Sequence, residues 1–151
     1  MIFEELNIDL FDYVPSDQNF YYAHCISRDF ALGAGIAKTF RKKFALTKPA
    51  LTAGLVHNVS IVSNVFNLIT KSHYWEKPTY QSLEKSLKEM KSLILTLNGN
   101  NTNNITLVMP KIGCGLDRLS WHNVKKMIKP KTTITVNKSC SFGNPLATYA
   151  T

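Results

Sequence analysis

The sequence predicts an α/β fold in which a central sheet is covered by helices on both faces. Two observations carry that prediction. Apolar, strand-like runs alternate with segments of helical periodicity through most of the 151 residues, the pattern of a sheet wound with helices. The runs FYYAHCIS (residues 20–27) and Ile105 to Met109 are apolar with little alternation, which suits strands buried on both faces. In such sheets ligands collect outside the carboxyl ends of the strands, so function is sought in the loop after each strand.

Residues Ile2 to Leu6 open the chain as a short strand. The acidic, aromatic turn Asp9 to Tyr13 comes next, then a loop marked by Pro15, Ser16, Asp17 and Asn19. Phe20 to Ser27 is the first long buried strand. It leads through Gly33-Ala34-Gly35-Ile36-Ala37 into a helix. There Ile36, Phe40 and Phe44, four apart, face inward while Lys38, Arg41 and Lys42 face water. Two strands come after it, one within GLVHNVSIV (residues 54–62) and one at Asn64 to Thr70. Pro78-Thr79 opens the clearest helix. Thr79 is placed to cap it, Leu83, Leu87, Met90, Ile94 and Leu97 keep helical spacing, and Glu84 with Lys88 forms an i,i+4 pair in the favourable order. Asn98 to Asn104 is a polar stop. Ile105 to Met109 then reads as a strand, Ser120 to Ile128 as a short helix and Thr132 to Val136 as the last strand. One domain of residues 1–137 is expected, with a tail, 138–151, whose sequence shows no usable pattern.

Composition narrows the class. Hydrophobic residues make up 44% and charged residues 19%, as in ordinary globular domains. No run approaches the ~20 apolar residues of a membrane helix, and the N-terminal MIFEELNIDLF carries acids where a signal peptide carries bases. The three cysteines, Cys25, Cys114 and Cys140, are an odd number without metal-ligand spacing, which suits free thiols in a reducing compartment. An intracellular, monomeric protein is expected, without membrane, metal or cofactor. The formal charge of +8, from 18 basic and 10 acidic residues, attracts phosphorylated ligands and keeps nucleic acid among the partners. A plain basic surface explains it equally.

Three strand ends carry chemistry-bearing residues. After Ser27 comes GAGIA, where glycines let backbone N–H groups approach an anion and the next helix points its positive end the same way. After Met109 comes a second such loop, Ile112-Gly113-Cys114-Gly115-Leu116-Asp117-Arg118. Two phosphate-binding loops suit a ligand with two phosphates. Asp117 is a candidate acid or base, and equally a cap for the next helix. After Thr70 comes Lys71-Ser72-His73-Tyr74-Trp75. A lysine at a strand end beside aromatics is a candidate nucleophile of lowered pKa, able to form a Schiff base, although a surface lysine is the commoner case. His73 is a candidate proton carrier or a structural residue. Cys114, between two glycines, reads as a small filler.

Taken together, the strings AHCISRDFALGAGIAKTFRKKF, LITK, KPTYQSLEKSLKEMK and MPKIGCGLDRLSW resemble the macrodomain family. Within it they resemble the branch of the terminal ADP-ribose protein glycohydrolase, or O-acetyl-ADP-ribose deacetylase. The segments occur in the family's order over roughly residues 8 to 136, and the Gly-Cys-Gly-Leu-Asp-Arg-Leu core is the most specific. The resemblance implies a three-layer α/β/α sandwich with a mixed central sheet and ADP-ribose in a cleft across the strand ends. It implies that Asp9 binds the adenine amino group. Ser27 and the loop Gly33, Ala34, Gly35, Ile36 and Ala37 would line the diphosphate and distal ribose, and Gly113, Cys114, Gly115 and Leu116 would wrap the same phosphates. Lys71 matches the catalytic lysine and Asp117 the catalytic aspartate.

The activity implied is removal of mono-ADP-ribose from glutamate or aspartate side chains, with deacetylation of O-acetyl-ADP-ribose beside it. The alternatives are a non-catalytic ADP-ribose-binding module and a hydrolase of ADP-ribosylated DNA; the charge and Arg41-Lys42-Lys43 fit the last, and they also fit a plain solvated face. A basic nucleic-acid binder would leave both glycine loops unexplained. The chain also departs from the family pattern. Ile8 stands where a glycine commonly precedes the adenine-binding aspartate, and Ser72 where a second basic residue often comes after the lysine. The segment from Ile128 to Thr132 is short, and Asn137 replaces an aromatic residue. Adenine stacking would then be weaker, or fall to Phe142 or Tyr149 of the tail.

Overall fold

The computed structural model describes residues 2–4, 6, 8–13, 20–97, 106–128, 134–135 and 146–150. Its strands are β1 (Ile2–Glu4), β2 (Phe20–Ser27), β3 (Leu55–Val56), β4 (Val59–Val62), β5 (Val65–Lys71), β6 (Thr106–Pro110), β7 (Ile134–Thr135) and β8 (Leu146–Ala150). They form one sheet in the order β1-β8-β6-β2-β5-β4-β3, with β7 paired to β8 off that path. β2 runs parallel to both β5 and β6, while the outer pairings are antiparallel. The sheet is therefore mixed, with a parallel centre.

That centre agrees with the sequence reading. β5 is buried from Val65 to Thr70, because helices cover both faces. On one side α1 (Gly35–Phe44) and α2 (Lys48–Ala53) deliver Phe40 and Leu51 to a cluster with Leu10, Tyr22, Val65 and Val108. On the other, α3 (Tyr80–Leu97) and α4 (Trp121–Ile128) deliver Leu83, Met90, Ile94, Val124 and Ile128 to a cluster with Phe66, Leu68 and Leu107. Burying each large side chain contributes on the order of 1.5–3 kcal/mol, and the two clusters hold three layers together.

The expected local devices of α3 are present. Thr79 Oγ1 accepts from Ser82 N at 3.0 Å, and Lys88 pairs with Glu84 at 3.3 Å. Leu97, expected on the inward stripe, is 53% exposed at the helix end. The helix α2 falls in a segment where apolar periodicity predicts no element. Its signals are Thr47, whose side chain caps Ala50 N, and Pro49 in the first turn.

The largest difference lies in the tail. Part of the expected tail belongs to the sheet. Leu146–Ala150 form β8, hydrogen-bonded between β1 and β6, and within the strand expected at Thr132 to Val136 the described residues Ile134–Thr135 form β7. The expected loop at Pro15 to Asn19, the polar stop at Asn98 to Asn104, and Asn137 and Phe142 lie outside the described residues. No helix among the described residues is long and apolar enough to cross a membrane.

Candidate active site

Because β6, β2 and β5 are adjacent and parallel, their carboxyl ends open on one edge of the sheet. Three loops meet there, and between them lies a cleft of about 760 Å³, the size of a small-ligand site. Its walls include Ser27 and Gly33 to Ala37 from the end of β2, Lys71, Tyr74, Trp75 and Lys77 after β5, and Gly113, Gly115, Leu116 and Asp117 after β6.

The site residues named from the sequence therefore converge, with two exceptions. Asp9 and Cys114 are not among the cleft walls. Asp9 is exposed, and its Oδ1 accepts from Phe11 N at 3.0 Å. Cys114 Sγ turns to Ile112 O at 3.2 Å, and burial, against a smaller effect of Lys111, pushes its thiol up to about 12. Burial likewise pushes up the thiol of Cys25. Both are poor nucleophiles, and Cys114 acts as the filler its neighbours suggested.

Lys71 Nζ donates to Asp117 Oδ1 at 2.7 Å, and the side chains are only 15% and 17% exposed. Asp117 does not cap the next helix, which begins at Trp121. An irregularity in the sheet positions the lysine. β2 and β5 pair in register up to Ile26 and Ile69, then slip, so that Ser27 faces Lys71 and Thr70 is skipped. Such a bulge re-aims the side chain that comes after it.

Glycine is required at two points of the cradle. Gly35 has φ +60° and Gly113 φ +73°, the left-handed region. A Cβ at Gly35 would stand 3.0 Å from Leu116 Cδ1, so the two glycine loops touch across the cleft. At α1 the N-cap Ala34 offers no side-chain hydrogen bond and the first turn holds no acid. Its positive end therefore opens on the wall formed by Gly35 to Ala37.

Sequence reading missed Asp29, the residue that ties these loops together. Asp29 Oδ1 accepts from Ser27 Oγ at 2.5 Å and from Ala31 N at 3.1 Å, and Oδ2 accepts from Tyr74 N at 2.9 Å. Burial opposes its charge, but these bonds and nearby His73 hold the carboxyl below the usual carboxylate range. The bond from Ala31 N, two residues on, has the local spacing of an Asx turn, and the bond from Ser27 is equally local. The bond to Tyr74, 45 positions away, has no sequence signal. His73 is exposed, stacked on Trp75 at 4.5 Å and 2.7 Å from Glu76 Oε1. Among the described residues no group of three or more His, Cys, Asp or Glu side chains is arranged to hold a metal.

No family model matches the chain. It is 45% identical over 113 residues to the protein named ADP-ribose glycohydrolase OARD1 of Homo sapiens, covering 71% of this chain and 70% of that one. Solved structures share the fold. The macrodomain of Mycobacterium tuberculosis DarG superposes with a TM-score of 0.65 at 20% identity, covering 83% of this chain and 86% of its own. That of Thermus aquaticus DarG gives 0.63 at 16%, covering 91% and 96%. With the parallel strand ends, the paired glycine loops and this degree of identity, the chain belongs to the macrodomain glycohydrolase family.

Proposed function

We propose that the chain is an ADP-ribosyl hydrolase that frees mono-ADP-ribose from glutamate and aspartate side chains, with Lys71 as nucleophile and Asp117 as acid and base. The observation that carries this reading is the Lys71 Nζ–Asp117 Oδ1 contact of 2.7 Å on the wall of the cleft. A pure ADP-ribose reader has no need of an amine and a carboxylate joined at that place. The name borne by the human relative, an ADP-ribose glycohydrolase, agrees with it.

In this reading the diphosphate rests against the backbone of Gly33 to Ala37 and Gly113 to Leu116, at the positive end of α1. The adenine amino group is assigned to Asp9 by the resemblance alone, since that residue is exposed and outside the cleft walls. Lys71 Nζ gives up a proton to Asp117 and attacks the anomeric carbon of the distal ribose. A C–N bond forms as the C–O bond to the side-chain carboxylate breaks, and the carboxylate leaves with the electron pair. Ring opening gives a Schiff base on Lys71. Water then adds to that carbon while Asp117 takes one of its protons and returns one to nitrogen. The C–N bond breaks, ADP-ribose departs and the amine is restored. An acetyl ester carried on the anomeric oxygen of O-acetyl-ADP-ribose presents a carboxylate leaving group of the same kind.

The test is release of free ADP-ribose from a glutamate-modified protein by the native chain, Lys71→Ala and Asp117→Asn, with ADP-ribose binding measured by calorimetry. Lys71→Ala is expected to abolish release, and Asp117→Asn to slow it by about a hundredfold or more, both with binding retained. Borohydride reduction during turnover should trap ADP-ribose on Lys71 of the native chain. Binding by the native chain without release from any modified carboxylate would overturn the reading in favour of a reader or a hydrolase of modified nucleic acid.

A further inference from the structure

We infer that Tyr74 and Trp75 form an acceptor-side platform that seats the polypeptide from which ADP-ribose is removed, so that the site prefers esters on protein side chains to the small acetyl ester. The inference rests on the proposed hydrolase reading and extends it to substrate choice. Six large apolar side chains are exposed among the described residues: Ile8, Val56, Tyr74, Trp75, Leu97 and Leu116. Three of them, Tyr74, Trp75 and Leu116, line the cleft that holds Lys71 and Asp117.

Tyr74 and Trp75 are each 64% exposed, yet they are held in place. Tyr74 N is bound to Asp29 Oδ2 at 2.9 Å, and His73 N to Glu76 Oε1 at 2.6 Å. Glu76 N returns to His73 O at 3.0 Å, closing the turn. The His73 ring stacks on Trp75, and Tyr74 meets Trp75 edge to face at 5.1 Å and 86°. Lys77 Nζ pins the far end of the segment to Leu116 O at 2.8 Å. Exposed aromatic area fixed at a cleft mouth marks a contact surface, and Tyr and Trp are the residues that most often anchor one.

The position of the platform decides what it meets. The glycine loops take the ADP-ribose half of the substrate, and Tyr74 and Trp75 come three and four residues after Lys71 on the remaining wall. With the other two walls taken by the ADP-ribose half, the departing group is assigned to theirs. An acetyl group is too small to reach two aromatic rings, whereas the residues flanking a modified glutamate extend over them.

Charge favours a polypeptide over a nucleic acid as the occupant. The run Arg41, Lys42 and Lys43 lies in the last turn of α1, and at 1.5 Å per residue Lys43 is roughly 12 Å along the helix axis from Gly35. Three of the cations near the mouth are engaged, while Arg118, next to Asp117, is exposed. Lys71 is paired with Asp117, Lys77 with Leu116 O, and Lys111 Nζ stands over the Trp121 ring at 6.0 Å. The platform's own turn carries a carboxylate, Glu76, that a phosphodiester backbone would meet.

The test compares kcat/KM of the native chain, Tyr74→Ala, Trp75→Ala, and the conservative Tyr74→Phe and Trp75→Phe. The substrates are a glutamate-ADP-ribosylated peptide, O-acetyl-ADP-ribose and an ADP-ribosylated single-stranded oligonucleotide, and ADP-ribose affinity is measured by calorimetry. Each alanine variant is expected to lower the ratio of peptide to acetyl-ester kcat/KM by about tenfold, the size of a 1.4 kcal/mol contact. The fall should lie mainly in KM, with the ratio largely recovered by phenylalanine. Parallel losses on both esters, or a matching loss of ADP-ribose affinity, would assign the rings to the ADP-ribose half and overturn the inference. So would an unchanged ratio, or a fall on the oligonucleotide larger than that on the peptide. A native chain that releases ADP-ribose from no carboxylate ester overturns the hydrolase reading itself, and this inference with it.

Discussion

Acid should destabilise this protein well above the pH at which its carboxylates protonate, because of His24. The ring is fully buried on β2, stacked on Phe40 at 4.0 Å. Asn67 Nδ2 donates to Ser60 O, which turns its Oδ1 toward His24 Nε2 at 2.5 Å. Nε2 therefore carries the ring proton, and a second proton would have to enter at Nδ1, which has no partner among the described residues. Burial, against a smaller opposing effect of the Asn67 bond, pushes the pKa from 6.5 down to about 4. The unfolded chain binds that proton below pH 6.5 and the folded chain does so only near 4. Stability is thus complete above pH 6.5, falls as the pH drops through the interval and levels off below 4. A difference of about 2.5 units at 1.36 kcal/mol each makes the full loss on the order of 3 kcal/mol, most of it reached by pH 4.5. Denaturant unfolding between pH 7 and 4.5 measures the loss, with His24→Gln, which keeps a donor for Asn67, as the reference. His57, His73 and His122 are exposed and remain in both proteins. A native chain whose stability tracks the same pH curve as His24→Gln would refute the reasoning. So would an NMR titration in which the His24 ring protonates near 6.5 while the protein stays folded.

Gly113→Ala should lose about 1–2 kcal/mol of stability and bind ADP-ribose more weakly. At φ +73° its new Cβ would press Leu119 Cδ1 at 3.0 Å and the buried Leu83 at 3.3 Å; urea unfolding and calorimetry read the two effects. Thr79→Ala should lower the unfolding free energy by about 1 kcal/mol through loss of the α3 cap, and Thr79→Ser should restore most of it.

What the sequence disclosed depended on how local the cause was. The strands and helices of the parallel centre arise from periodicity and burial. The cap at Thr79 and the pair Glu84–Lys88 involve residues three or four apart, and all of these were legible. The helix α2 was equally local, announced by Thr47 and Pro49, but at six residues it is too short for apolar spacing to stand out. β8 could not be read, because LATYA owes its place to pairing with β1 and β6 rather than to any pattern of its own. The basic run of α1, which kept nucleic acid in view, has a local explanation. It occupies the last turn, where cations complement the helix dipole, and Lys43 lies 4.6 Å over the Phe11 ring.

The site was legible in its parts and not in its assembly. Lys71 and Asp117 are 46 positions apart, and nothing in their spacing says that they touch; only the resemblance placed them in one site. The fold brings them together by two devices that leave no mark in composition. One is the parallel order β6-β2-β5, which sends both residues to the same edge of the sheet. The other is the register slip at Ile26 and Ser27. Without it Thr70 rather than Lys71 would face Ser27, and the amine would stand one residue away from the strand end it now meets. Asp29 then joins the β2 loop to the segment after Lys71 through Ser27, Ala31 and Tyr74, so one carboxylate ties that loop to the proposed aromatic platform. Asp29→Ala should therefore lower the peptide-to-acetyl-ester ratio of kcat/KM as Tyr74→Ala does, and an unchanged ratio in that assay would show that the platform does not depend on this carboxylate.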